Sequence, residues 1–142
     1  MNHSTARERR SPDHAWDNLM VAKVAIADDD GETLDLLCDI LRGPTTAIYT
    51  AASGAELVVL LAEHGPFDLI VTDVDMPWMD GLAAIRSARG SDVQVPVLVI
   101  SGISRPELAA EVDRLGNAQL LRKPIQVSEV RKAVSELLGS TS

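Results

Sequence analysis

The chain has 142 residues, 46% of them apolar, which is enough for one domain with a substantial core and too few for two comfortable ones. Its 21 acidic against 13 basic residues leave a net charge of −8, which argues against a nucleic-acid or anionic-membrane binder, because both reward a basic face. A single cysteine permits no internal disulfide and fits a reducing, cytoplasmic setting, and no apolar run nears the ~20 residues that cross a bilayer.

Residues 1 to about 20 are polar, with Arg7, Arg9 and Arg10 offset by Glu8, Asp13 and Asp17, and they lack the apolar segment of a secretory signal. They read as a flexible tail before one domain over 21–142. Trp16 in that tail could dock on the domain or on a partner, and the residues leave both open.

From Lys23 onward, short apolar runs alternate with helix-length segments, the pattern of parallel strands joined by crossover helices. Strands are predicted near 23–27, 46–51, 68–72, 96–100 and 118–121, and helices near 31–42, 54–64, 82–90, 105–116 and 126–138. In the first helix Leu34, Leu37, Cys38 and Leu41 repeat at helical spacing, which places Cys38 in the core rather than as a reactive thiol. Ser53 with Glu56, and Ser104 with Glu107, fit capping boxes at two helix starts. Gly43-Pro44 and Gly65-Pro66 follow helices, the glycine suited to a left-handed cap and the proline blocking continuation. The second helix is apolar almost all round from Leu57 to Ala62, and the last repeats Val127, Val130, Val134, Leu137 and Leu138 along one face. Such a chain folds as an open, doubly wound α/β sheet of five parallel strands, here in the flavodoxin-like order 2-1-3-4-5. Ligands then bind beyond the carboxyl ends of the strands, where Asp28 and Asp29 would face Asp73.

Polar residues stand at four of those ends. Val24-Ala-Ile-Ala27 runs into Asp28-Asp29-Asp30, Ile70-Val-Thr72 into Asp73, Val97-Leu-Val-Ile100 into Ser101, and Leu120-Leu121 into Arg122-Lys123. Carboxylates, a hydroxyl and an ammonium at one sheet edge suit a divalent metal beside a phosphoryl group. Each has a plainer reading. Asp30 is a helix N-cap, Asp28 and Asp29 could cap the same helix, Asp80-Gly81 reads as a turn, and Ser101 or Lys123 alone would be an ordinary surface residue. His3, His14 and His64 show no ligand spacing.

Ala27-Asp28-Asp29, Asp73-Val-Asp-Met-Pro-Trp-Met-Asp-Gly81, Ser101-Gly102 and Lys123-Pro124, in that order and each at a strand end, resemble the receiver domain of bacterial response regulators. The resemblance runs from about Lys23 to Leu138. It implies that Asp73 accepts a phosphoryl group from a sensor histidine kinase or a histidine phosphotransfer protein. It also implies that Asp29 and Asp73, with the main-chain carbonyl of Asp75, bind Mg²⁺ directly, and that Asp28 acts through water. Ser101 would hydrogen-bond the phosphoryl group, Lys123 would pair with it, and the bond before Pro124 would be cis. A downstream protein would read the change or take the phosphoryl group on, and a homodimer stays open. No effector segment follows the last predicted helix, so direct DNA binding or an output reaction is not expected.

Two positions depart from the family pattern. The aromatic residue usual three positions before the lysine is Leu120 here, which puts the usual coupling of Ser101 to the surface of helix 4, strand 5 and helix 5 in question. Trp78, in the loop after Asp73, is either a lid on that loop or a contact for a partner. The same residues admit two other readings. A receiver-like module that only binds a partner conflicts with the intact acids, hydroxyl and lysine. A haloacid dehalogenase-like phosphatase would use Asp73-Val-Asp75, but that motif usually follows the first strand and is not continued by a residue such as Pro77.

Overall fold

Apolar runs that are buried on both sides, with no alternation along β4, need helices on both faces of their sheet, and the structure supplies them. It is a computed structural model that describes residues 22–76, 79–88, 94–102 and 106–139. The strands are β1 (Ala22–Ala27), β2 (Thr46–Ala51), β3 (Leu69–Asp73), β4 (Val97–Ser101) and β5 (Ala118–Arg122). They alternate with α1 (Gly31–Leu41), α2 (Gly54–His64), α3 (Gly81–Ala88), α4 (Leu108–Leu115) and α5 (Val127–Gly139). All strand pairs are parallel and the order is β2-β1-β3-β4-β5, as expected. The central strands β3 and β4 are buried throughout, whereas the outer strands β2 and β5 are mostly half-buried, which suits their mixture of Thr, Tyr and Gln with Ala, Ile and Leu.

Alternate strand residues feed two cores. Ala25, Ile70, Val97 and Val99 pack with Leu57 of α2, Leu82 and Ile85 of α3, and Leu108 and Val112 of α4. On the other face, Val24, Ile26, Val71 and Ile100 pack with Leu37 and Leu41 of α1 and Val130, Val134 and Leu137 of α5. Cys38 is half-buried against this second core, and burial pushes its thiol pKa up, in keeping with a packing role. Val127 departs from the expected face: the first residue of α5, it is 40% exposed, while Val130, Val134 and Leu137 are buried.

The helix ends are partly as read. Ser53 caps α2, accepting from the Glu56 amide at 3.1 Å, while the Glu56 carboxylate accepts from the Ala52 amide at 2.9 Å. Asp30 holds the N-cap position of α1, but its carboxylate accepts from the Thr33 hydroxyl at 2.6 Å, a bond that holds its pKa below the ordinary value. Helix α4 starts at Leu108 because Pro106 and Glu107 form a turn, and Ser104 lies outside the described residues. Gly65 does not take the left-handed conformation; its φ of −65° and ψ of 168° are the extended backbone that a residue before proline prefers. The Gly65–Pro66 bond is cis. Positive φ occurs instead at Gly116, where α4 ends.

Candidate functional site

The carboxyl ends of β1, β3, β4 and β5 gather the polar residues. Asp28 follows β1 directly and is 1% exposed; its Oδ1 accepts from the Asp30 amide at 2.8 Å, so its rotamer is set by the first turn of α1. Asp29, beside it, is exposed. Asp73 is the last residue of β3 and buried, with Oδ1 accepting from the Asp75 amide at 3.0 Å. Ser101 ends β4, fully buried, and its hydroxyl donates to Asp75 Oδ2 at 3.4 Å. Lys123 lies one residue past β5, tied to β4 by its amide donating to the Ser101 carbonyl at 2.9 Å and followed by a cis bond to Pro124.

The Lys123 ammonium stands between two strand ends, 3.2 Å from Asp73 Oδ2 and 3.3 Å from Asp28 Oδ2. Burial disfavours that ammonium, but the hydrogen bond to Asp73 and the charges of both acids outweigh it, and its pKa is raised. Asp28 is pushed up to about 6, first by burial and then by the charge of Asp73, against the opposing Asp30 amide and Lys123.

One ammonium does not neutralise this site. Asp28, Asp29 and Asp73 each place a carboxylate oxygen within 4.8 Å of the others. Two unit charges about 5 Å apart repel by roughly 3 kcal/mol at an effective dielectric near 20. Asp28 Oδ2 is buried and accepts no hydrogen bond, its contact with Lys123 being ionic only. A buried carboxylate oxygen without a donor, in an all-oxygen set, fits a hard divalent cation.

Sequence reading located Asp28, Asp29, Asp73, Asp75, Ser101 and Lys123, and the fold brings all six together. It missed the carboxylate of Asp75, singled out for its carbonyl alone, which receives the Ser101 hydroxyl. It also missed Thr72, whose hydroxyl donates to the Asp73 carbonyl at 3.0 Å. Asp80-Gly81 is more than a turn. Asp80 caps α3, accepting from the Ala83 amide at 2.8 Å, and a Cβ on Gly81 would lie 2.3 Å from Thr72 Oγ1 and 2.4 Å from the Asp73 carbonyl. An acid and glycine ahead of an apolar helix was the available signal. Leu120 pairs in register with Val99 and is half-buried against the α2–α4 core. Trp78 lies outside the described residues.

The sequence profile of the response regulator receiver domain matches residues 24–135. This chain belongs to that family. Among similar proteins, the chemotaxis protein CheY of Bacillus subtilis is 28% identical over 121 residues, covering 84% of this chain and all of that protein. The transcriptional regulatory protein PrrA of Mycobacterium tuberculosis is 34% identical over 123 residues, 84% of this chain and 52% of its own length. Against ZraR of Salmonella typhimurium the chain spans about a quarter of the relative, 26%. Among solved structures, a CheX–CheY–BeF3–Mg complex from Borrelia burgdorferi superposes with a TM-score of 0.76 at 28% identity, covering 86% of this chain and 92% of that one. Receiver domains are signalling domains that bind Mg²⁺ at an acidic pocket and engage histidine kinases and downstream targets, and the receiver here has such a pocket. No described helix is long and apolar enough to cross a membrane.

Proposed function

We propose that this receiver accepts a phosphoryl group on Asp73 from the phosphohistidine of a sensor histidine kinase or histidine phosphotransfer protein, in a Mg²⁺-dependent reaction. It then signals through protein contacts or passes the group on. The observation that carries this is the Lys123 ammonium held within 3.3 Å of both Asp28 and Asp73, beside a buried carboxylate oxygen that no donor satisfies.

Asp28, Asp29 and Asp73, with the Asp75 carbonyl, would hold Mg²⁺, which when bound offsets negative charge on the incoming phosphoryl oxygens. The chain supplies the rest by position and charge. A carboxylate oxygen of Asp73 attacks phosphorus as the P–N bond of the phosphoimidazole breaks; the electron pair leaves with the imidazole, which takes up a proton. Lys123 pairs with the phosphoryl oxygens, and Ser101 leaves Asp75 to donate to one of them. Loss of the group is a separate hydrolysis: water attacks phosphorus, the Asp73 O–P bond breaks with its electron pair left on the restored carboxylate, and inorganic phosphate leaves as the water gives up a proton.

Intact-mass measurement after incubation with acetyl phosphate and Mg²⁺ tests this. One added phosphoryl group, lost in Asp73→Asn and without the metal, is expected. Unchanged mass, or equal labelling of Asp73→Asn, would remove the proposal.

A further inference from the structure

At the end of the fold remote from the acidic pocket, α1 and α5 leave a groove of about 360 Å³ between them. Val24, Ile40, Leu69 and Leu138 line it, with the exposed Arg42 and Arg131 also on its wall. Thr46 stands at its head, its side-chain oxygen buried without a hydrogen-bond partner. An apolar trough with two cations on its wall suits a helical stretch of chain bearing a large apolar residue and acids.

The sequence carries such a stretch next to the groove. Ala22 pairs in register with Thr46 and donates to the Thr45 carbonyl at 2.8 Å, so residue 21 and those before it attach at the groove's head. At helical spacing Asp13, Trp16, Asp17 and Met20 fall on one stripe, in which acids alternate with apolar residues. Trp16 lies six positions before Ala22, so in that helix, at ~1.5 Å per residue, it stands roughly 9 Å from the strand start, close to the ~10 Å between Arg131 and Leu138 along the groove wall. Arg42 already contacts Asp39 at 3.1 Å, but both side chains are well exposed and such a pair is weak, so either acid can displace it.

We infer that the segment 13–21 folds back onto its own domain, with Trp16 in the groove between α1 and α5 and Asp13 and Asp17 against Arg42 and Arg131.

The chain has two tryptophans, so full-length protein carrying Trp78→Phe reports Trp16 alone. Its emission is expected to be blue-shifted from that of the urea-unfolded chain and protected from acrylamide, independently of protein concentration. Ser135→Arg, on the groove wall, is expected to abolish both signals, and Arg131→Glu to weaken them, with Asp17→Lys added to Arg131→Glu restoring them. Far-UV circular dichroism confirms that each variant is folded. Solvent-exposed emission in the parent, or emission that none of the folded variants moves, would overturn the inference. So would a blue shift that appears only as concentration rises, which would assign the groove to a second copy.

Discussion

Asp28 makes the acidic pocket a measurable cost to the metal-free protein. Its pKa rises from 3.8 to about 6, so between those values the folded state binds more protons than the unfolded chain. The linkage sign is therefore the reverse of a salt-bridged carboxylate: stability falls as pH rises through this window, and the full cost is present above about pH 6. Some two pH units at ~1.4 kcal/mol each give about 3 kcal/mol, comparable with the repulsion expected of two charges ~5 Å apart. The cost belongs jointly to Asp28 and the groups it faces, Asp73 and Lys123. In Asp28→Asn the Asn oxygen still accepts from the Asp30 amide, but the buried charge is gone. Urea unfolding at about pH 4.5 and about pH 7.5, without metal, should show Asp28→Asn gaining on the wild type by about 2 kcal/mol more at the higher pH, because part of the cost is already present at the lower, which is roughly 7 °C in Tm. Mg²⁺ competes with that proton, so its stabilisation of the wild type should be larger at neutral than at acid pH. Parallel pH profiles for the two proteins, or Mg²⁺ stabilisation that grows on acidification, would refute the reasoning.

Asp73→Asn removes one of the clustered charges and keeps the acceptor for the Asp75 amide, so it should stabilise the metal-free protein by on the order of 1 kcal/mol, the relieved repulsion exceeding the weakened Lys123 bond, while cutting the response to Mg²⁺. Calorimetry with and without the metal checks both. Lys123→Ala strips two buried acids of their shared cation and should cost about 2–3 kcal/mol at neutral pH in metal-free urea unfolding, with part recovered by Mg²⁺. Gly81→Ala should cost about 2 kcal/mol, because its Cβ would lie 2.3 Å from Thr72 Oγ1, whereas Gly31→Ala, with nothing within 4 Å, should lose nothing. Equal denaturation midpoints for those two glycine variants would contradict the packing described beneath Asp73.

The architecture was legible because its signals are one-dimensional. Strands such as Val97–Ser101 are continuous apolar runs, and helices such as α2 carry a capping box and a stop, so that the expected 54–64 is the observed span. The six gathered site residues were legible for the same reason, each standing at or next to a strand end. What escaped depends on three dimensions. The Asp75 carboxylate reaches Ser101 across 26 residues, and Thr72 and Gly81 matter through contacts with the Asp73 main chain. The extended backbone at Gly65 reflects Pro66 overriding the left-handed preference that helix-ending glycines show. Nor does a period of 3.6 reveal how far along a helix burial extends: Val127 shares the spacing of Val130 and Val134 but not their burial.

The central claim is that four strand ends make one phosphoryl-binding pocket, and a crystal structure grown with beryllofluoride and Mg²⁺ tests it most directly. The account predicts the anion bonded to a carboxylate oxygen of Asp73, with the Lys123 ammonium and Ser101 hydroxyl turned onto its fluorines and the metal among Asp28, Asp29 and Asp73. An anion bound at any other residue, or metal in the pocket with no anion on Asp73, would contradict it.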